Sequence, residues 1–281
     1  MPQFPLSDTE IKAFIDSAFA EDIAGGDVTA ELVVSSDASL TAAMNAREPM
    51  VVAGLPLAKE VFLRLAPECT ITVFAKDGDQ LNAGDKILHI EGNARALLSA
   101  ERTALNIVQH LSGIATAAKS YADEILGTGA TLLDTRKTIP GLRKLAKYAT
   151  ALGGAKNHRM GLFDAVMIKD NHIAVAGSVT QAVSAAKISG RSDIQVECDT
   201  VEQVSEALEA GANSLLLDNM GPDTLRQALM LVGGRIPCEA SGGVNMKTIR
   251  AIAETGVDYI SVGRITQSAP AVDIGLDFSA S

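Results

Sequence analysis

The chain has 281 residues, 47% of them hydrophobic, and carries a formal net charge of -10. This length suits one large α/β domain or two unequal ones, with enough apolar side chains for a sizeable core. The acidic balance argues against a nucleic-acid-binding protein, which is more often basic, and no apolar run approaches the roughly 18 residues of a membrane span.

The chain begins with a helical pattern and continues with short strand-like runs. Ser7 and Glu10 have the spacing of a capping box, and apolar residues follow at helical intervals, which predicts a first helix. Runs punctuated by Gly and Asp predict a small, mainly antiparallel sheet with strands at 40–46, 50–53, 69–75 and 86–90. One long helix, or two end to end, is predicted from 94 to 125.

From residue 130 onward, strands and helices alternate. Apolar runs predict strands at 130–133, 165–168, 193–196, 214–217, 236–240 and 259–262. Helical patterns separate the later runs, at 178–187, 201–210, 222–231 and 246–254. Repeated βα units imply a parallel sheet with right-handed crossovers. The late strand ends recur about every 22 residues, which fits a (β/α) barrel, and a doubly wound open sheet is the alternative.

The cysteines and the N-terminus bear on the compartment. Cys69, Cys198 and Cys238 lie far apart and have no metal-ligand spacing, so reduced and buried thiols are expected. The N-terminus lacks a basic stretch followed by an apolar run, so no signal peptide is expected. Together these features predict a cytoplasmic protein.

The cations of this acidic chain are concentrated between Asp134 and His172. The segment holds eight Lys or Arg residues against three Asp residues, an excess of five positive charges. Such a concentration indicates a site for a small, highly charged anion. Arg143, Lys144 and Lys147 lie in a predicted helix of this segment, where one or more of them would face water.

Polar or charged residues follow nearly every apolar run of the predicted barrel. In such a barrel the active site lies at the carboxyl ends of the strands, so these side chains are candidates for it. Helix caps and solvated loops are the alternative explanation. The groups are Asp134-Thr135-Arg136-Lys137, Lys169-Asp170-Asn171-His172, Glu197, Asp218-Asn219, Ser241-Gly242-Gly243 and Gly263-Arg264.

Two of these positions are carboxylates. Glu197 and Asp218, close to an anion site, indicate a divalent cation or sugar hydroxyls between them. Oxygen ligands, completed by phosphates, are what Mg²⁺ prefers. The alternative is that each carboxylate pairs with Lys169 or Lys137 in an ion-pair network.

The last two loops predict a phosphate site. Ser241-Gly242-Gly243 precedes a predicted helix that Asn245 could cap, and the final loop begins with Gly263. Glycines let the backbone approach a ligand, and a helix N-terminus presents free N–H groups. Barrels often bind phosphate after their last two strands.

Asn157-His158-Arg159 follows a glycine pair and is a further candidate. The planar fork of Arg matches a carboxylate, and His adds a donor whose charge depends on pH. His89 and His110 are expected to be structural. His172 would only orient Lys169, and strand alternation would turn Cys198 into the core.

These segments together resemble quinolinate phosphoribosyltransferases. The resemblance covers nearly the whole chain, including Glu21-Asp22 and Gly26-Asp27 near its start. Its longest parts are Glu101-Arg102-Thr103-Ala104-Leu105-Asn106, Asp134-Thr135-Arg136-Lys137-Thr138, Pro140-Gly141-Leu142-Arg143, Asn157-His158-Arg159, Gly161-Leu162, Ile168-Lys169-Asp170-Asn171-His172, Ser241-Gly242-Gly243 and Ala269-Pro270.

The resemblance implies an α/β fold of two domains. An N-terminal α/β sandwich domain would span 1–112 and an incomplete (β/α) barrel 113–269, with the tail 270–281 packing back on the first domain. It also implies a homodimer in which the N-terminal domain of one subunit covers the barrel mouth of the other. Arg102 would then reach into the active site of the partner.

The resemblance also implies a reaction, in which quinolinate and phosphoribosyl pyrophosphate give nicotinate mononucleotide, pyrophosphate and CO2 during NAD biosynthesis. The substrate carboxylates would be held by Arg102, Arg136, His158, Arg159 and Lys169. Catalytic roles would fall to Lys137 and Lys169 near the donor and to Glu197 and Asp218 at the ribose hydroxyls and Mg²⁺, bound directly or through substrate or water. The 5′-phosphate would lie on Ser241, Gly242, Gly243 and Gly263.

Two positions depart from the family pattern, and three rival functions remain. Many bacterial members have a small residue and a histidine where this chain has Arg264 and Gln267, and Arg264 could add a phosphate contact or point outward. A phosphoribosyltransferase for nicotinate or another acid would need fewer cations. A molybdenum-related branch lacks the Lys-Asp-Asn-His pattern, and a non-catalytic sensor would not need Glu197 and Asp218.

Overall fold

The structure is a computed structural model that describes residues 2–280, and these residues form two compact units. The first unit runs to Lys119 and also includes Lys144–Gly153 and the chain from Ser268 onward. The second unit consists of Ser120–Arg143 and Gly154–Gln267. No helix in the described range has the length and apolar character needed to cross a membrane.

The first unit begins with helices α1 (Asp8–Asp22) and α2 (Val28–Val33). The predicted capping box at the start of α1 is confirmed: the Ser7 hydroxyl accepts from the Glu10 N–H, and the Glu10 carboxylate accepts from the Ser7 N–H. The reciprocal bonds satisfy two N–H groups that would otherwise lack partners at the helix start.

The sheet of the first unit is antiparallel, as predicted. Four strands lie in the order β12-β1-β5-β3, and a separate pair joins β2 to β4. Alternate residues of β1 are buried, among them Met44, which packs in a core with Phe62 and Leu97. The strands are β1 (Ser39–Ala46), β2 (Met50–Val51), β3 (Thr70–Val73), β4 (Gln80–Leu81), β5 (Lys86–Asn93) and β12 (Ile274–Ala280).

Two further helices belong wholly or mostly to this unit. Helix α3 (Leu55–Leu65), which the sequence did not predict, begins after Gly54, whose φ of 97° lies in the left-handed region. The Asp77 carboxylate accepts from the N–H groups of Gly54 and Leu55 at 3.0 and 2.9 Å, so a distant residue caps α3. The long helix predicted from 94 is a single helix, α4 (Ala94–Glu124).

The second unit contains six parallel strands in the order β6-β11-β10-β9-β8-β7. Strand β6, the first of these along the chain, pairs with β11, the last along the chain. This pairing is the arrangement of a barrel and excludes a doubly wound sheet. Since β6 and β7 do not pair with each other, the (β/α) barrel is incomplete. The strands are β6 (Thr131–Leu133), β7 (Val166–Ile168), β8 (Ile194–Cys198), β9 (Ser214–Asp218), β10 (Cys238–Ser241) and β11 (Tyr259–Ser261).

Helices follow the barrel strands. Helix α10 is shorter than the predicted 246–254, because Asn245 and Thr248 form a turn in which Asn245 Oδ1 accepts from the Lys247 N–H at 3.0 Å. The helices of this part are α6 (Asp170–Ala176), α7 (Val179–Ile188), α8 (Val201–Ala210), α9 (Pro222–Val232), α10 (Ile249–Ala253) and α11 (Arg264–Gln267).

Two segments distant in sequence belong to the first unit. Strand β12 pairs with β1, and helix α5 (Arg143–Leu152) contributes Tyr148, whose hydroxyl donates to Asp77 at 2.9 Å. The boundary predicted after residue 112 places α5 with the barrel, whereas most of this helix groups with the first unit. The predicted domain limits themselves stay a prediction.

Candidate active site

A cavity of about 520 Å³ lies at the carboxyl ends of the barrel strands. It is lined by eleven of the twelve residues that the sequence marked as catalytic or substrate-binding, although their roles stay predictions. Arg264 and Gln267 line it as well. The eleven are Arg136, Lys137, His158, Arg159, Lys169, Glu197, Asp218, Ser241, Gly242, Gly243 and Gly263.

Arg102 is the twelfth, and its place is different. It is an exposed residue of α4 in the first unit and is not among the residues that line the cavity of the second unit.

The cations between 134 and 172 are only partly gathered in the cavity. Lys144 pairs with Glu10 in the first unit, and Lys156 lies over the Tyr259 ring at 5.6 Å from its centroid. Of the cations of helix α5, Lys144 is exposed, as expected for one or more of them, whereas Lys147 is 1% exposed. Arg143 donates to the Met160 carbonyl at 3.2 Å and so fixes a loop.

Lys137 is held by the loop after β6 and by the last loop of the barrel. Its N–H donates to Thr135 Oγ1 at 3.0 Å, and its carbonyl accepts from Thr266 Oγ1 at 2.7 Å. Gly263 leaves room for its side chain, because a Cβ on Gly263 would lie 2.8 Å from Lys137 Cδ.

Lys169 and Glu197 form an ion pair within the cavity, which matches for Glu197 the ion pairing that the sequence left as an alternative. Glu197 is 9% exposed. The predicted orienting role of His172 takes the form of a backbone contact, since the Lys169 N–H donates to His172 Nδ1 at 2.9 Å. Asp218 accepts from Asn219 Nδ2 at 2.5 Å.

Arg136 and Arg159, two of the three arginines that line the cavity, repel each other. Burial and the charge of Arg136 hold the pKa of Arg159 below its usual value. Arg159 Nη1 donates to the Ala165 carbonyl at 3.1 Å, which fixes the guanidinium. Arg136 Nε is buried and has no hydrogen-bond partner among the described residues. An anion between the two guanidinium groups would relieve this repulsion.

One functional residue was missed by the sequence reading. Glu239 lines the cavity from within β10, two residues before Ser241 and on the same face of the strand, and is 3% exposed. Its Oε2 lies 3.1 Å from His158 Nε2 and accepts from Gln195 Nε2 at 2.8 Å. The signal of this residue in the sequence was a lone Glu inside a predicted buried strand, whereas the predicted rim consists of residues that follow the strands.

The carboxylate of Glu239 is ionised despite its burial. Burial alone would raise the pKa of this carboxyl, but hydrogen bonds from His158, Ser261 and Gln195 outweigh it and hold the pKa below its usual value. The loop that carries His158 is itself anchored to Asp134, which accepts from the His158 N–H at 2.8 Å and from Asn157 Nδ2 at 2.7 Å.

The glycine pair after β10 forms another wall of the cavity. Gly242 and Gly243 have φ values of 84° and 62°, which other residues rarely adopt. A Cβ on Gly242 would lie 2.7 Å from the backbone nitrogen of Asn219, which itself donates to the Ser241 carbonyl at 2.9 Å. Helix α10 begins only at Ile249, so the expected helix N-terminus does not follow this loop directly.

The thiols are not candidates for a nucleophile. Cys198 is buried, as strand alternation predicted, and burial raises the pKa of its thiol to about 12. All three cysteines are free. A nucleophilic thiol needs a lowered pKa and access to its target, and Cys198 has neither.

The residues available for a metal are two carboxylates. No group of three or more His, Cys, Asp or Glu side chains in the described range could hold a metal ion. Glu197 and Asp218 both line the cavity, and Mg²⁺ is often bound through one or two carboxylates together with substrate phosphates. This donor set therefore fits a magnesium ion that arrives with a phosphorylated substrate.

Two family models and several known proteins are similar to this chain. The model for the N-terminal domain of quinolinate phosphoribosyl transferase matches residues 27–112, and the model for its C-terminal domain matches residues 114–277. A Bacillus subtilis protein named probable nicotinate-nucleotide pyrophosphorylase (carboxylating) is 40% identical over 98% of this chain and 96% of its own length.

A plant protein and a solved structure are also similar to this chain. The chloroplastic nicotinate-nucleotide pyrophosphorylase (carboxylating) of Arabidopsis thaliana is 40% identical over 98% of this chain and 84% of its own length. The solved structure of the nicotinate-nucleotide pyrophosphorylase from Francisella tularensis superposes with a TM-score of 0.93, at 39% identity, over 99% of this chain and 100% of that one. The chain therefore belongs to the quinolinate phosphoribosyl transferase family.

Proposed function

We propose that this protein transfers the phosphoribosyl group of phosphoribosyl pyrophosphate to quinolinate, with decarboxylation, to give nicotinate mononucleotide, pyrophosphate and CO2 in NAD biosynthesis. The single observation that carries the proposal is the cavity at the barrel mouth. There Arg136, Lys137, Arg159 and Lys169 gather opposite Glu197 and Asp218. The names of the relatives supply the reaction.

Quinolinate carries two carboxylates, and the guanidinium groups supply matching donors. Arg136 and Arg159 would bind them, with Lys169 as a further charge, because a planar fork fits a carboxylate bidentately. Burial and, after it, the charge of Arg136 lower the pKa of Arg159, and the second of these causes supports an anion between the two arginines. His158 lines the same wall, and its predicted contact with a carboxylate is part of the proposal.

The phosphorylated donor would lie toward the late strands. The 5′-phosphate would contact the backbone of Ser241, Gly242, Gly243 and Gly263, where the glycines allow close approach. Glu197 and Asp218 would accept from the ribose hydroxyls. Lys137, which lies against Gly263, would contact the pyrophosphate.

Catalysis would come mainly from positioning and charge. Positive charge grows on the anomeric carbon as pyrophosphate leaves, and Lys137 and Lys169 stabilise the leaving group while Glu197 and Asp218 stabilise the sugar cation. The pyridine nitrogen then attacks that carbon. The ring becomes cationic, so the adjacent carboxylate leaves as CO2, its bonding electron pair stays on the ring carbon beside the positive nitrogen, and a proton then adds to that carbon to give nicotinate mononucleotide.

Mg²⁺ is the proposed cofactor. Glu197 and Asp218 would hold it, directly or through water and substrate, and when bound it would neutralise charge on the pyrophosphate. The two carboxylates also need no metal to be satisfied, since Glu197 contacts Lys169 and Asp218 contacts Asn219.

A homodimer with shared active sites is the proposed assembly. The exposed position of Arg102 on α4, away from the cavity lining, supports a role in the site of a second copy. Arg102→Ala and Lys169→Ala proteins, each inactive, should regain partial activity when mixed as subunits. Verified heterodimers without activity would count against a shared site.

A cytoplasmic location is proposed on the basis of the thiols. Cys69, Cys198 and Cys238 are all free, which suits a reducing compartment.

The reaction is tested by an assay with quinolinate, phosphoribosyl pyrophosphate and Mg²⁺ that follows both CO2 and nicotinate mononucleotide. Equal formation of the two, lost when Mg²⁺ is removed, is the expected result. Product from nicotinate but none from quinolinate would assign the chain to the rival transferase. Binding of quinolinate without turnover would support the sensor.

A further inference from the structure

Glu239 has contacts that reach the substrate wall of the cavity through one histidine. Its Oε2 lies 3.1 Å from His158 Nε2, and the next residue in the chain is Arg159, one of the two guanidinium groups of the site. Strand pairing with Leu216 on one side and Tyr259 on the other fixes the backbone of Glu239 in the middle of the sheet. The carboxylate therefore extends from a fixed backbone position.

The hydrogen bonds of His158 determine its tautomer. Nδ1 accepts from the Arg159 N–H at 2.7 Å, so this nitrogen carries no proton. The ring proton must then be on Nε2, which donates it to Glu239. Both ring nitrogens consequently have partners within the protein, and the imidazole connects the Glu239 carboxylate to the backbone of Arg159.

The guanidinium group of Arg159 is also held by a hydrogen bond within the protein. Its Nη1 donates to the Ala165 carbonyl at 3.1 Å, so backbone and guanidinium are fixed at two points. Gln195 also donates to Glu239 Oε2, at 2.8 Å, and keeps the carboxylate turned toward His158. The order of contacts runs from Gln195 through Glu239 and His158 to Arg159.

We propose that Glu239 is a positioning residue that holds His158 as its Nε2–H tautomer and thereby fixes Arg159 for the carboxylates of the acceptor substrate. The proposal deepens the proposed function and depends on it for the identity of that substrate. Glu239 acts through His158, so its effect falls on quinolinate rather than on the phosphorylated donor. Among the side-chain hydrogen bonds of the described residues, that of Asp218 goes to Asn219 and not to this series.

The first test leaves Glu239 unchanged and reads the tautomer in the wild-type protein. The chain has only four histidines, so ¹⁵N-labelled imidazole signals can be assigned by replacing each in turn. The signal lost in His158→Gln should show a protonated Nε2 and an unprotonated Nδ1. A protonated Nδ1 in the wild-type protein would overturn the proposal, and this result is independent of any enzymatic activity.

The second test separates the two substrates. Glu239→Leu should weaken quinolinate binding, measured by calorimetry, about tenfold or more, as expected for a lost charged hydrogen bond, and leave the donor constant within about twofold. Glu239→Gln, which keeps an acceptor, should fall between Glu239→Leu and wild type. In the His158→Gln background Glu239→Leu should add little, because both changes break the same series of contacts.

A control distinguishes positioning from general damage to the barrel. Asp258 accepts from the Cys238 N–H at 2.8 Å, on the strand that carries Glu239, so Asp258→Asn should lower the melting temperature without changing quinolinate affinity. Equal weakening of both substrates by Glu239→Leu would contradict the proposal. If wild-type protein binds no quinolinate, the proposed function fails, while the tautomer still decides whether Glu239 positions His158.

Discussion

The ammonium of Lys169, one residue after β7, contacts Oε2 of Glu197 in the neighbouring strand β8. The two charges neutralise each other in this pair. Each group can exchange its partner for a substrate group of opposite charge. Lys169→Ala should reduce kcat/KM at least about a hundredfold, because it removes a cation from the transition state and leaves Glu197 unpaired. Steady-state kinetics with both substrates measures this loss.

The matched control is a lysine in a similar ion pair elsewhere. Lys144 contacts Glu10 in the first unit, and Lys144→Ala should leave turnover within about twofold because exposed pairs contribute little. An equal loss of activity in the two variants would mean that the Lys169 result reflects general instability.

The glycines of the proposed phosphate site should respond differently to one added methyl group. Gly242→Ala should destabilise the protein by about 1–2 kcal/mol and abolish donor binding, because its φ is positive and the Cβ would meet the backbone of Asn219. Gly263→Ala should cost little stability, since the nearest atom belongs to the flexible side chain of Lys137, but should raise the donor KM. Thermal unfolding and kinetics on both variants check this contrast.

Arg264 lines the cavity and is one of the two positions at which this chain departs from the family pattern. If it contacts a donor phosphate, Arg264→Ala should raise the donor KM by about tenfold, the effect of one charged hydrogen bond, and leave the quinolinate KM unchanged. Arg226 on α9 pairs with Asp223 and provides the control. Identical donor constants in Arg264→Ala and wild type would mean that the side chain points away from the donor.

Tyr148 and Asp77 should make stability depend on pH. Burial raises the pKa of Asp77 above its usual value even though three donors stabilise its charge. Tyr148→Phe removes one donor and raises that pKa further, so it should destabilise the protein by about 1.5–3 kcal/mol at pH 7. The difference should shrink as the pH falls through the raised folded pKa of Asp77 and be lost once the folded carboxyl is protonated in both proteins, because the unfolded carboxyl contributes equally to the two.

Denaturant unfolding of wild type and Tyr148→Phe at several pH values measures this effect. A difference in unfolding free energy that stays constant from pH 7 to pH 4 would show that the lost contact is one of packing and that the charge of Asp77 is not involved.

The barrel and its polar rim were predictable because they depend on local patterns. Parallel strands separated by helices leave their carboxyl ends on one side, so residues such as Asp218 and Ser241 could be placed from the sequence alone. Their convergence on one cavity requires only that the strands be neighbours, which the topology provides.

The remaining features depend on contacts between distant residues. Helix α3 begins where it does because Asp77 caps it from 22 residues away, and no local signal carries this. The sequence could not indicate which cations of α5 face water, because lysines usually do, yet Lys144 is exposed and Lys147 is buried. Glu239 lies inside a strand, so its partners His158 and Gln195 become visible only when three separate segments meet.

The gap between β6 and β7 gives the barrel one seam. On the β6 side a single residue covers the edge: the Lys156 N–H donates to the Leu132 carbonyl at 2.8 Å, and Leu133 and Lys156 form a parallel bridge. Among the described strands, β7 has only β8 as a neighbour. Strands with one neighbour open at a lower free energy, so amide protons of β7 should exchange with solvent faster than those of β9. A substrate bound to both Arg136, which follows β6, and Lys169, which follows β7, would link the two sides of the seam, and the protein would then resist such opening most when its cavity is filled.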